Sequence, residues 1–229
     1  RDGGRRIELT SAADITPRPV RWLWDGRMAL GSLSLIAGPE GLGKSTMAYW
    51  LTAEVTRGRL PGKHQGEPRA VLVCATEDSW SHTIVPRLMA AGADLTLVYR
   101  DEGVTTLGTH GTPSLPHDNS ALAHAIDQTG AALVLLDPLM SRLSGSLDSH
   151  RDQEVRSALE PMVKVADDTG STVVGLIHFN KSNSADPLTN VMASKAFTAV
   201  ARSVSIVVKD ADDETGTRRI FATPKNNLG

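Results

Sequence analysis

One cysteine in 229 residues, Cys74, excludes a disulfide within the chain. It lies in the apolar run from Ala70 to Ala75, where a small buried hydrophobe is the expected role. No apolar run approaches the roughly 18 residues that a membrane span requires. The first residues lack the charged, apolar, small-residue succession of a secretory leader, so the expected location is cytoplasmic and no membrane partner is expected. Charge of one sign is not in surplus: the formal net charge is −2 with the seven histidines neutral, which gives no whole-molecule push toward nucleic acid or acidic membrane. The histidines show no metal-ligand spacing among themselves or with Cys74, so a protein-bound zinc is not expected. Aromatic residues make up only 4%. Internal repeats and low-complexity tracts are missing as well.

What is present is an ordinary globular composition, 40% hydrophobic and 22% charged, with length enough for one large core. Apolar runs of strand length recur at 33–37, 70–75, 96–99, 132–136, 172–177 and 203–208. Several are too continuous for a sheet with one wet face. Helical patterns at 44–57, 79–91, 119–129 and 152–169 alternate with them, the last carrying Val155, Leu159, Met162, Val163 and Val165 at a 3.6-residue rhythm. After 194 come a short helix, the 203–208 strand, an acidic turn through Asp210, Asp212, Asp213 and Glu214, and a strand at 219–223. That end predicts an antiparallel hairpin. The expected class is α/β: a mostly parallel twisted sheet flanked by helices, with an antiparallel C-terminal edge. Residues 1–29 are expected to form a lead segment or arm and 30–229 the core. Two stretches fall outside this pattern and are expected to be functional or mobile: 101–118, a surface excursion rich in Gly, Thr and Pro, and 179–194, directly after a buried strand.

Residues 38–46 read Gly38-Pro39-Glu40-Gly41-Leu42-Gly43-Lys44-Ser45-Thr46, a full match to G-x-x-x-x-G-K-[ST] between an apolar strand and a helical pattern. Glycines let the backbone turn so that successive N–H groups and a helix start face phosphate oxygens. In that chemistry Lys44 reaches the β and γ phosphates, Ser45 ligates Mg²⁺, and Thr46 lies near the α-phosphate. The expected ligands are ATP and Mg²⁺. Asp137 ends the apolar strand 132–136, the form of a Walker B strand that holds a carboxylate beside the magnesium. Glu77 ends the strand 71–75 and projects from the same carboxyl edge as a general base, with Asp78 as the cap of the next helix. His178 follows strand 173–177 at that edge and is a candidate sensor of the γ-phosphate.

The order of these motifs, closed by Lys225-Asn226-Asn227, resembles the RecA-like ATPases of the plasmid RepA helicase type, from about Trp22 to Gly229. It is also similar to actinobacterial and phage-borne ATPases of that group, in which a Trp-rich lead such as Val20-Arg21-Trp22-Leu23-Trp24 precedes the first strand. The resemblance implies a homo-oligomeric ring, usually a hexamer, with ATP at each interface and single-stranded DNA through the centre. It implies Arg202 as a cation delivered to the neighbouring site, and Lys225 as a second phosphate contact. DNA contact is expected from loops 138–152 and 179–194 through Arg142, Arg151, Lys181 and Lys195, with Phe179 for stacking. Trp22 and Trp24 either dock on the adjacent subunit or bury in the chain's own core. A nucleotide-switched assembly protein without unwinding activity is the alternative. A small-molecule kinase, which needs an arginine-rich lid, is not supported.

Overall fold

A computed structural model describes residues 8–104, 110–144, 147, 151–179 and 195–228. The apolar runs become seven strands of one sheet: β3 (Ser32–Gly38), β4 (Ala70–Ala75), β5 (Val98–Arg100), β8 (Ala131–Asp137), β9 (Thr172–His178), β10 (Ser203–Lys209) and β11 (Arg219–Asn226). Their spatial order is β11-β10-β3-β9-β8-β4-β5. All neighbours are parallel except β10 and β11, which pair as the antiparallel hairpin expected from the acidic turn. Two further hairpins lie outside this sheet, β1 (Trp22–Trp24) with β2 (Met28–Ala29), and β6 (Gly103–Val104) with β7 (His110–Gly111). The α/β architecture expected from the sequence is thus the observed one.

Continuous hydrophobicity in the strands reflects cover on both faces. Leu33, Leu35 and Ala37 of β3 and Val134 and Leu136 of β8 join one core, with α3 (Asn119–Thr129), α4 (Asp152–Thr169) and α5 (Lys195–Val200). Ile36 of β3 and Leu133 and Leu135 of β8 join the other, with α1 (Lys44–Thr56) and α2 (Val85–Ala91). Helix α4 runs through Pro161, which costs about 3 kcal/mol in a helix interior. Burial of Val155, Leu159 and Met162, at about 1.5–3 kcal/mol each, more than offsets that cost.

The lead segment divides at Trp22. Residues 8–21 are exposed, whereas Leu23, Met28 and Ala29 are buried against the second core. Trp24 stacks on Phe221 with ring centroids 5.6 Å apart, and it meets Trp50 at 5.4 Å. Trp24 therefore packs on its own chain, and the Trp22 backbone carbonyl accepts from Lys63 N at 2.8 Å.

Candidate functional site

Parallel pairing brings the carboxyl ends of four strands to one rim. Gly38 lies opposite His178, and Ala75 lies opposite Asp137, with β9 inserted between the strands that carry the phosphate loop and the acid. The loop leaves β3 and enters α1 through Gly43, whose φ of 91° is a conformation that only glycine adopts without strain. No side chain caps the helix there. The first amides of α1 are thus free to receive phosphate oxygens.

Lys44 is buried, and its ammonium donates to Gly38 O at 2.9 Å, Pro39 O at 2.8 Å and His178 Nδ1 at 3.1 Å. Burial pushes the ammonium below its ordinary range, against the attraction of Asp137 and Glu40. Because Nδ1 accepts, the His178 proton sits on Nε2 in this arrangement. Asp137 shows the reverse imbalance: burial raises its carboxyl above the usual range, a hydrogen bond with Ser45 opposes this, and Glu77 and Asp78 add repulsion that Lys44 only partly cancels. An acidic, oxygen-rich rim short of positive charge suits Mg²⁺, which takes one or two protein ligands and completes its octahedron with water and phosphate. Ser45 and Asp137, joined by a side-chain hydrogen bond, are the rim residues that could hold it. Among the described residues no group of three or more His, Cys, Asp or Glu forms a closed metal cage.

Glu77 lies in the bend after β4, exposed, and lines the same cleft of about 260 Å³ as Lys44, Ser45, Asp137 and His178. The bend is tied to the Asp137 strand by Thr76 N donating to Asp137 O at 3.2 Å. Asp78 is not the helix cap. Ser79 takes that role, accepting from His82 N at the start of a π turn, Trp80–Ile84, that leads into α2. Asp78 instead pairs with Arg87 at 3.2 Å. Arg87 also lines the cleft and had no signature in the sequence, because its partner lies nine residues away across an irregular turn.

Flanking the loop is a groove of about 520 Å³, lined by Leu42, Met47, Trp50, Thr217, Arg219 and Phe221 among others. Its aromatic wall is Trp50 and Phe221, whose rings meet that of Trp24, with the Arg27 guanidinium 5.0 Å from the Trp24 ring. A groove so walled, beside the loop, can stack a planar ring such as a nucleobase. Sequence reading missed Trp50, Arg219 and Phe221. The available signal was a tryptophan on α1, 37% exposed, on a helix whose other residues are mostly buried.

Other expected site residues stand elsewhere. Arg202 precedes β10, and its N–H donates to Leu33 O at 2.8 Å, near the amino end of β3. That position is exposed and five residues, about 16 Å of strand, from Gly38. Lys225 pairs with Val204 at the same end. Its ammonium caps α5, donating to Thr198 O and to Ala201 O, the latter at 2.8 Å, so it does not contact phosphate in its own chain. Burial, and then Arg202, lowers its ionisation range.

Arg142 is corrected too. It is 3% exposed and paired with Asp101 at 2.8 Å, because the turn after β8 folds it beneath the ends of β4 and β5 rather than toward solvent. Arg151 and Lys195 are exposed, with Arg151 3.4 Å from Glu154. Lys181 falls outside the described residues, and Phe179 packs partly against the first core.

Among the described residues no helix is long and apolar enough to cross a membrane. A family model described as an AAA domain matches residues 5–184. No curated protein matches the chain.

Proposed function

The chain belongs to the AAA-domain family and carries an ATPase-type domain, and from that premise we propose that it is a ring-forming ATP-hydrolysing motor on single-stranded DNA, of the plasmid RepA helicase type. The observation that carries this reading is the convergence of Lys44, Glu77, Asp137 and His178 on one cleft, while Arg202 stands exposed at the opposite end of the strands. A cation so placed serves a triphosphate only from a neighbouring copy, which makes hydrolysis depend on assembly.

In this mechanism Lys44 exchanges the Gly38 and Pro39 carbonyls for β and γ phosphate oxygens, a strong charge-assisted replacement. Ser45 and Asp137 would hold Mg²⁺, which would supply positive charge against the phosphate oxygens. Glu77 accepts the proton of the attacking water, and its exposed position at the cleft mouth leaves room for that water. His178, protonated on Nε2 and held by Lys44, donates toward the γ-phosphate and loses that contact when the phosphate leaves. Arg202 of the next copy stabilises the charge on the transferring group. Lys225 holds the segment that carries Arg202 by capping α5.

DNA is assigned to the loops after β8 and β9. With Arg142 withdrawn, Arg151 and Lys195 remain among the described cations, and repetition around a ring multiplies their contacts. That same withdrawal favours a second reading, a nucleotide-switched ring that recruits partners without unwinding. Steady-state ATP hydrolysis with and without single-stranded DNA, beside the particle mass in ATP, separates the two. A motor gives a ring whose hydrolysis rises several-fold with DNA. A ring unmoved by DNA supports the switch, and a monomer that hydrolyses at full rate overturns both.

A further inference from the structure

Lys44 shares the wall of the phosphate cleft with a second cation. Arg87, on α2, lines it together with Glu77, Asp137 and His178. Its Nη1 donates to Asp78 Oδ2 at 3.2 Å, and among the described residues that is the one hydrogen bond its guanidinium makes. The two side chains are 52% and 42% exposed. Water screens such a pair, so Asp78 holds Arg87 only weakly. Most of the N–H donors of the guanidinium stay open to a further partner.

The order of strands decides which phosphate comes nearest. The groove beside the loop is walled by Val207 of β10 and by Arg219 and Phe221 of β11, toward one edge of the sheet. From there the loop follows β3, Asp137 ends β8, and Glu77 and Arg87 follow β4, in that spatial order. A nucleotide with its base in the groove and its phosphates on the loop runs toward β4, and its last phosphate is the one that meets Arg87. The buried Tyr49 phenol, one turn along α1 from Ser45, is pushed up chiefly by burial, then by Asp137 and Asp78, and is pulled back by Arg87. The acid and the ion pair thus lie within electrostatic reach of one ring. A phosphate accepts two parallel charge-assisted bonds from a guanidinium, which outweigh a single bond to an exposed carboxylate.

On the reading of this cleft as an ATP site, we propose that Arg87 is a further catalytic cation of that site, supplied by the same chain. Asp78 holds it at rest, and a bound γ-phosphate draws it off. Arg87 therefore distinguishes ATP from ADP.

Calorimetric titrations of the full chain with a non-hydrolysable ATP analogue and with ADP, both with Mg²⁺, read the contact as a ratio of affinities. Arg87→Ala is expected to weaken binding of the analogue at least about tenfold, the factor of one hydrogen bond to a charged group, while affinity for ADP stays within about twofold. Asp78→Asn, which releases Arg87, raises the preference for the analogue over ADP by about twofold or more, and in the Arg87→Ala background it does not. If Arg87→Ala binds neither ligand and has lost the cooperative thermal melt of the parent, Arg87→Met, which keeps the stem packed, is read in its place. Equal loss of both ligands by a folded variant, unaltered preference in Arg87→Ala, or the same Asp78→Asn effect in both backgrounds overturns this inference alone. A parent protein that binds neither ligand overturns the ATP-site reading and the inference together.

Discussion

Asp137 shows at the scale of one side chain how function and stability compete. Its carboxyl is raised chiefly by burial, so ionisation is harder in the folded chain than in the unfolded one. A group raised in this way favours folding in its protonated form. Stability is therefore fullest below the unfolded value and is lost as pH rises through the folded one. Asp137→Asn removes that penalty together with the repulsion from Glu77 and Asp78. It is expected to raise the melting temperature of the nucleotide-free protein at about pH 7.5 while abolishing turnover, with the thermal gain shrinking toward about pH 4. Thermal melts of both proteins across that range check it, and an unchanged melting temperature at the higher pH contradicts the burial account. Residue identity was legible in the sequence wherever it sat in a motif with a mechanism. Lys44, Asp137 and His178 stand where strand ends and the glycine loop put them. Arg142 was not legible, because a cation in a loop is ordinarily solvated and nothing local announces that Asp101, 41 residues earlier, lies beneath it.

Among the elements, β9 and the turn after β8 fit each other closely. Leu139 N donates to Leu176 O at 2.9 Å, and the Leu139 side chain crosses Gly175 so closely that a Cβ there would lie 2.8 Å from Leu139 Cδ2. That seating anchors the turn immediately following Asp137. Gly175→Val is expected to cost about 1–3 kcal/mol through overpacking and to weaken Mg²⁺-dependent ATP affinity, because the displaced turn takes Asp137 with it. Denaturant unfolding and nucleotide titration measure the two effects. A destabilised variant with normal affinity would separate the packing from the site. Elements were the most readable level: helices expected at 119–129 and 152–169 occupy those residues, since burial and rhythm coincide there. The π turn at 80–84 escaped notice because one extra residue per turn leaves the apolar spacing almost unaltered. The edge strand near 96–99 came out shifted to Val98–Arg100, with Leu95–Leu97 forming a short 3-10 turn, because an edge partner constrains register from one side only.

At the scale of the whole molecule, the two ends of the parallel strands have different assignments. The carboxyl rim carries the cleft proposed for the triphosphate, and the amino end presents Arg202 outward, next to the Lys225 cap of α5. Arg202→Ala is expected to retain ATP binding and lose at least about a hundredfold in turnover. Mixing Arg202→Ala with Lys44→Ala subunits rebuilds complete sites at hybrid interfaces, so activity returns above that of either variant alone. No recovery in rings shown to be mixed would remove Arg202 from the neighbouring site. This level was only partly legible: the order of motifs pointed to a shared rim, whereas the seating of Trp24 on its own chain needed the packing of Phe221 and Trp50 to decide it.

The account rests on a water-activating carboxylate facing a magnesium-bound triphosphate across the cleft. Its most direct test is the rate of ATP hydrolysis by Glu77→Gln under conditions where the variant is shown to hold ATP and Mg²⁺ as the parent protein does. The expected result is unaltered ATP binding with hydrolysis reduced at least about a hundredfold, the scale of a lost general base. Hydrolysis at the parental rate by an ATP-loaded Glu77→Gln protein would contradict it.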